Sequence, residues 1–186
     1  MKSTWTSWAT RRVALGLAVG VGATVLLAGC AVSPPGGKFV PIRPFDAQRY
    51  MGTWYEMARI DHGFQKGLVN ARADYTLQSD GTVKVVNQGY HPEKQEQKRI
   101  EGVAKFVGEP TVAALKVSFF GPFYGGYNVV ALDEGYQTAL VVGESADYFW
   151  LLTRNPDMPE AEVNQWLQKA QALGVDLGKV IRTRKR

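Results

Sequence analysis

The stretch "FDAQRYMGTWYEMAR", residues 45–59, decides the fold. Trp54 follows Gly52 by two positions and runs straight into "TWYEMARI", a segment rich in the aromatic and apolar residues of a strand. A bulky indole at the head of a strand asks what it is for. The answer depends on what the rest of the chain builds around it.

Downstream, short segments with period-two alternation are separated by turn residues at nearly regular intervals. In "ARADYTLQ", Ala71, Ala73, Tyr75 and Leu77 alternate with Arg72, Asp74 and Thr76, as a half-buried strand requires. "SDGT" turns the chain, and "VKVVNQGY", "RIEGVAKFVG", "VAALKVSFF", "YNVVALD", "TALVVGES" and "YFWLLTR" complete eight strands. Every connection is hairpin-sized, so sequence neighbours should pair antiparallel, and eight such strands can close without an edge.

The exception is "NPDMPEAEVNQWLQKAQALG", residues 155–174, where Val163, Trp166, Leu167, Ala170 and Leu173 recur at helical spacing. Pro159 suits the first turn of a helix and Gly174 its end. An apolar stripe of this kind belongs against a core rather than a cofactor. A short last strand, "KVIRT", follows. The fold class is therefore all-β: an eight-stranded antiparallel up-and-down barrel with one C-terminal helix outside it and a short final strand. No internal repeat or low-complexity stretch interrupts residues 45–186, which read as one domain.

Upstream, Lys2, Arg11 and Arg12 precede the uncharged run "VALGLAVGVGATVLLAG", and the run ends in "LAGC". Leu27, Ala28, Gly29 and Cys30 match a bacterial lipobox: small residues suit the signal peptidase, and the cysteine thiol accepts a diacylglyceryl group. Residues 1–29 read as a lipoprotein signal peptide. A retained transmembrane helix is the alternative, with a run that just reaches the spanning limit. "TRRVALG" matches the twin-arginine export motif poorly, which leaves the export route open between that and the general one. Residues 30–44, with Pro34, Pro35, Pro41, Pro44 and a glycine pair, read as an acylated cysteine and an extended tether.

Processing at Cys30 changes the charge. The 22 basic residues less the three in the leader leave 19 against 17 acidic ones. Most of the remaining excess is the tail Arg182, Arg184, Lys185 and Arg186, so the net charge of +5 implies no nucleic-acid surface. Cys30 is the only cysteine, which excludes an internal disulfide. Acylated, it also excludes a cysteine nucleophile or a cysteine zinc site.

These residues together resemble the lipocalins. Gly52-Thr53-Trp54 matches the family's Gly-x-Trp, Asp133 and Tyr136 its turn before the seventh strand, and Arg154 the arginine that ends the eighth. "FDAQRYMGTWYE", "AALKVSFFGPFYGGYNVVALD" and "DYFWLLTRNP" are similar to the bacterial outer-membrane branch of the Blc type, relatives of apolipoprotein D. Apolipoprotein D's disulfides have no counterpart here. The resemblance implies that Trp54 lies across the closed floor of the barrel with Arg154 stacked on it, a structural stopper rather than a ligand contact.

With Trp54 at the floor, the loops "DHGFQKGL", "HPEKQEQ", "GPFYGG" and "ESAD" fall at the open mouth, and His62 and His91 with them. Alternation points Ala73, Tyr75, Val85, Asn87, Leu115, Val117, Phe119, Tyr127, Val129, Trp150 and Leu152 inward. This lining suits an acyl chain, with Asn87, Tyr75 and Tyr127 as polar handles. At the mouth, Phe119, Phe120, Phe123 and Tyr124 mix with Lys66, Lys94 and Lys98, a combination that fits a fatty acid or lysophospholipid entering tail first. The same rings could instead make a homodimer contact. No cofactor or metal is expected, because His62 and His91 sit on separate loops.

Catalysis finds little support: "GESAD" places Ser145 in a broken nucleophile-elbow pattern with no helix after it. The expected function is a membrane-anchored carrier or store of a lipid amphiphile, its barrel in the periplasm under the outer membrane, in envelope maintenance under stress. The alternatives are a lipid-modifying enzyme on the same scaffold and a structural envelope lipoprotein without ligand.

Overall fold

A computed structural model describes residues 39–184. The leader, Cys30, the tether up to Lys38 and the last two basic residues lie outside them. The first element is one that alternation cannot reveal, a single helical turn α1 (Ala47–Tyr50), begun by Asp46, whose carboxylate accepts the Arg49 N–H at 3.1 Å.

The eight strands follow as β1 (Gly52–Ile60), β2 (Val69–Leu77), β3 (Val83–His91), β4 (Glu96–Phe106), β5 (Ala114–Ser118), β6 (Gly125–Leu132), β7 (Thr138–Val142) and β8 (Phe149–Thr153). Each pairs antiparallel with the next, and β1 closes the ring by pairing with both β2 and β8. The closure is divided along β1. Gly52–Tyr55 pair with β2, while Ala58–Ile60 pair with the final strand β9 (Val180–Arg182). Where β1 and β2 part, the chain after β9 fills the seam: Thr183 donates to the Met57 carbonyl at 3.1 Å and accepts the Asn70 N–H at 2.9 Å. The short last strand is therefore part of the wall and covers backbone that would otherwise be an exposed edge.

Two differences in strand limits from the sequence reading bear on the mouth. The seven-residue mouth loop expected at "HPEKQEQ" shrinks to the four-residue turn Pro92–Gln95, since His91 pairs with Glu96 and Gln97 with Tyr90 in the ladder. β5 is shorter than "VAALKVSFF", with Val112 and Phe119 outside it.

Because side chains alternate across the wall, the same strands feed two apolar clusters. Inside the barrel lie Trp54, Ala73, Tyr75, Val83, Val85, Leu115, Val141 and Leu152 among others. Outside, Leu140, Val142, Phe149 and Leu151 pack beneath α2 (Glu160–Leu173), which contributes Val163, Leu167 and Ala170. Trp166 and Leu173 flank that stripe half-buried. Pro159 occupies the N-cap position, and Gly174 ends the helix at φ +112° with its N–H on the Ala170 and Gln171 carbonyls.

Candidate functional site

The floor is built from Gly52, Trp54 and Arg154. Trp54 is wholly buried and donates its indole N–H to the Tyr50 carbonyl at 2.8 Å. The Arg154 guanidinium lies 3.9 Å from the indole centroid. Its N–H groups reach the carbonyls of Thr53 at 2.7 Å, Met51 at 2.7 Å, Tyr50 at 3.0 Å and Arg49 at 3.2 Å, so one planar fork closes the end of α1 while stacked on the indole. Gly52 takes φ +95°, and a Cβ there would stand 3.2 Å from Arg154 Nη1. Both constraints demand glycine at this point. In the turn before β7, the Asp133 carboxylate accepts backbone N–H groups from Gly135, Gln137 and Thr138, and Tyr136 at φ +58° accepts the Asp46 N–H on its hydroxyl.

Above the floor three tyrosines converge. The Tyr50 and Tyr127 hydroxyls are 2.8 Å apart, and Tyr75 donates to Tyr127 at 3.0 Å. Burial pushes the Tyr75 phenol up to about 12 and the other two well above their ordinary value, so all three stay neutral. Tyr50 was not among the residues picked out by alternation, because it comes from α1 rather than a strand.

Over this cluster opens a cavity of about 1130 Å³, slightly larger than the usual small-ligand pocket of about 300–1,000 Å³. Tyr75, Val85, Asn87, Leu115, Val117, Phe119, Tyr127, Trp150 and Leu152 all line it. Val129 points inward but lies below the cavity, fully buried in the interior cluster, because alternation gives a residue's face and not its depth. The Asn87 side-chain oxygen is buried without a partner. Phe119 leans over Gly102, where a Cβ would come within 2.7 Å of its ring.

One polar feature of the wall escaped the sequence reading. Arg59 is wholly buried; it donates to Glu56 Oε1 at 2.7 Å, to Asp61 Oδ1 at 2.8 Å and to the Gln65 and Leu68 carbonyls at 2.8 and 3.1 Å. Gln65 in turn donates to Glu56 Oε2 at 3.2 Å and accepts the Trp150 indole N–H at 2.8 Å. The network fastens the loop after β1 to the cavity wall. Burial raises the Glu56 carboxyl above its ordinary value against the pull of Arg59. In a regular strand, positions 56 and 59 face opposite ways. The register shift between Glu56 and Ala58 inserts one residue and turns both inward.

At the mouth, His91, Phe123 and Tyr124 line the opening, with Lys66, Lys94 and Lys98. The His91 ring is buried with Nδ1 unpartnered. His62 is not part of the lining. Its ring packs on Phe64, Tyr148 and Trp150, with centroids 4.2, 5.4 and 5.0 Å away, and neither nitrogen has a partner. Burial, followed by the nearby Arg59 charge, lowers its pKa to about 4. Ser145 sits exposed in the β7–β8 loop, where its hydroxyl accepts the Asp147 N–H at 3.3 Å.

A closed eight-stranded antiparallel barrel, plugged at one end by an indole stacked on an arginine and hollow at the other, has the architecture of a lipocalin. The Lipocalin-like domain family matches residues 45–185, and the chain belongs to it. It is similar to Outer membrane lipoprotein Blc of Citrobacter freundii, with 47% identity over 161 residues that cover 87% of this chain and 91% of that one. The protein of the same name from Escherichia coli (strain K12) is 47% identical over 165 residues, 89% of this chain and 93% of that one. Among solved structures, insecticyanin from the tobacco hornworm Manduca sexta shares the fold with a TM-score of 0.66 over 82% of this chain and 88% of that chain, at 18% identity.

Proposed function

We infer that the chain is a lipid-anchored carrier that holds one fatty acid or lysophospholipid, tail inward, in the barrel hollow. The observation that carries the reading is the cavity itself. It is lined mainly by apolar side chains, narrows onto neutral tyrosine hydroxyls and opens among lysines and aromatic rings. A chain of about a dozen methylenes gains roughly 10 kcal/mol on leaving water, at about 0.8 kcal/mol each. An association cost of about 4 kcal/mol leaves about 6 kcal/mol, a dissociation constant of some tens of micromolar before any polar contact adds to it. The Asn87 oxygen and the His91 Nδ1 offer polar contacts for a head group on its way in.

The relatives named above are outer-membrane lipoproteins. With the "LAGC" sequence, this supports a signal peptide cleaved before Cys30, acylation of that cysteine including a fatty acyl chain such as palmitate, and a tether that holds the barrel on the periplasmic side of the outer membrane. Ala31 in place of aspartate favours that membrane over the inner one. The role is transport or storage of lipid for maintenance of the envelope, with no turnover of the ligand.

Tryptophan fluorescence during titration with lysophospholipid and with oleate tests the reading, because Trp150 lines the cavity and Trp54 does not. Saturable quenching with the lipid recovered intact is the expected result. Conversion of the lipid would make the protein an enzyme, and no saturable change would leave it a scaffold without cargo.

A further inference from the structure

Three loops of the mouth present aromatic rings to solvent. Phe64 is 63% exposed in the loop after β1, Phe120 and Phe123 are 72% and 78% exposed in the loop after β5, and Tyr148 is 42% exposed in front of β8. Among the described residues these four are the exposed large aromatic side chains, and all stand around one opening. The other large exposed apolar residues, Val40, Val103 and Ile181, are aliphatic and lie elsewhere. A soluble surface has no use for four bare rings concentrated at one end, which marks the rim as a contact face.

Charge does not choose the partner. Of the carboxylates near the rim, Asp61, Glu96 and Asp147 are paired with Arg59, Lys98 and Lys179. Lys66 and Lys94 are balanced in number by Glu93 and Glu144, which leaves Lys116 and a rim of about one net positive charge. The Lys116 ammonium is 5.1 Å from the Tyr124 ring centroid, an ammonium-on-ring arrangement that suits the polar side of a bilayer interface.

The chain's own connectivity does choose. α2 starts just after Arg154 at the floor and ends at Gly174 on the mouth side, since Lys179 shortly beyond it pairs with Asp147 of the β7–β8 loop at 2.8 Å. The Phe39 ring lies against Gly174, 3.6 Å from where a Cβ would be, so the described chain begins at the mouth-side end of the helix. Residues 31–38 separate it from Cys30, and a proline-rich stretch of that length reaches only about 28 Å at 3.1 Å per residue. A lipid anchored on Cys30 therefore holds the bilayer within a short reach of the end that carries the bare rings.

We propose that the barrel docks mouth-down on a phospholipid bilayer, with Phe64, Phe120, Phe123 and Tyr148 seated among the head groups, so that a lipid passes between membrane and hollow without crossing water. Phenylalanine and tyrosine rings are suited to this boundary, apolar in the body and, for tyrosine, polar at the tip. Docking of this kind is driven by the rings rather than by ion pairs and depends weakly on salt. It rests on the carrier reading for the anchor and the cargo.

The test uses the full chain reconstituted in vesicles of phosphatidylethanolamine and phosphatidylglycerol. A nitroxide is placed at Phe123→Cys or, as a control in the exposed β2–β3 hairpin at the floor, at Asp80→Cys; the acylated Cys30 has no free thiol and takes no label. Docking predicts that position 123 is relaxed more by oxygen than by a water-soluble nickel chelate and that position 80 shows the reverse. Equal aqueous access at both positions overturns the proposal. So does dipolar broadening between labels at 123, the sign of a second copy covering the rim. Lysophospholipid quenching of the unlabelled parent in the same vesicles separates the two readings: quenching of the parent with a water-exposed 123 defeats docking alone, whereas a buried 123 without quenching of the parent defeats the carrier and leaves docking in place.

Discussion

Gly52, Trp54 and Arg154 act as one unit at the floor, and their separate substitutions should fail for different reasons. Trp54→Ala removes a wholly buried indole and should cost about 3–5 kcal/mol. Arg154→Lys keeps the charge but gives up the planar fork that reaches four carbonyls of residues 49–53, a loss of about 1–3 kcal/mol. Urea midpoints measure both, and neither change should alter which lipids quench Trp150. His62 gives a pH prediction. Its imidazole, ordinarily near 6.5, is held to about 4 in the fold, so the unfolded chain takes a proton that the folded one refuses. The contribution of His62 to stability is complete above pH 6.5 and is lost as pH falls toward 4. Glu56, raised by burial, works in the opposite sense and loses its contribution as pH rises. Denaturant midpoints of parent and His62→Phe across pH 4–7 isolate the histidine: the parent should fall more steeply than the variant on acidification. The floor was legible in the sequence through the family resemblance that Gly52, Trp54 and Arg154 carry, not through alternation. The burial of His62 was not, because a histidine beside an aspartate in a loop looks solvated until Phe64, Tyr148 and Trp150 close around it.

At the scale of elements, period-two alternation carried the barrel. It located all eight strands and inward residues on β2, β3, β5, β6 and β8, and the 3.6-residue period located α2. It failed where the period is interrupted. The bulge in β1 turns both Glu56 and Arg59 inward, and the bulge between Val129 and Ala131 sends Val130 and Ala131 together to the outer cluster. No alternation rule marks such a site in advance, since an inserted residue leaves composition unchanged. α1 was hidden for a similar reason, a single turn being too short to show a period. The outer cluster under α2 is separate from the hollow, which predicts a clean division of effects. Leu167→Ala should lower stability by about 2–4 kcal/mol, as other buried leucines do, and leave the lipid dissociation constant unchanged within twofold. Thermal denaturation and the quenching titration, run on the same sample, check the two halves of that statement.

For the molecule as a whole, the two faces of one sheet divide the labour. The outer face, buttressed by α2, supplies rigidity; the inner face, relieved of that duty, leaves about 1130 Å³ unfilled. Close packing is the rule inside proteins, so a hollow of this size needs a closed wall and a sealed floor to persist. The central claim is that this hollow holds an acyl chain, and chain length tests it most directly. In a quenching titration with lysophosphatidylcholines of increasing acyl length, the account predicts that affinity rises about fourfold for each added methylene, the equivalent of roughly 0.8 kcal/mol, until the hollow is full. Affinity that does not change with chain length would contradict it.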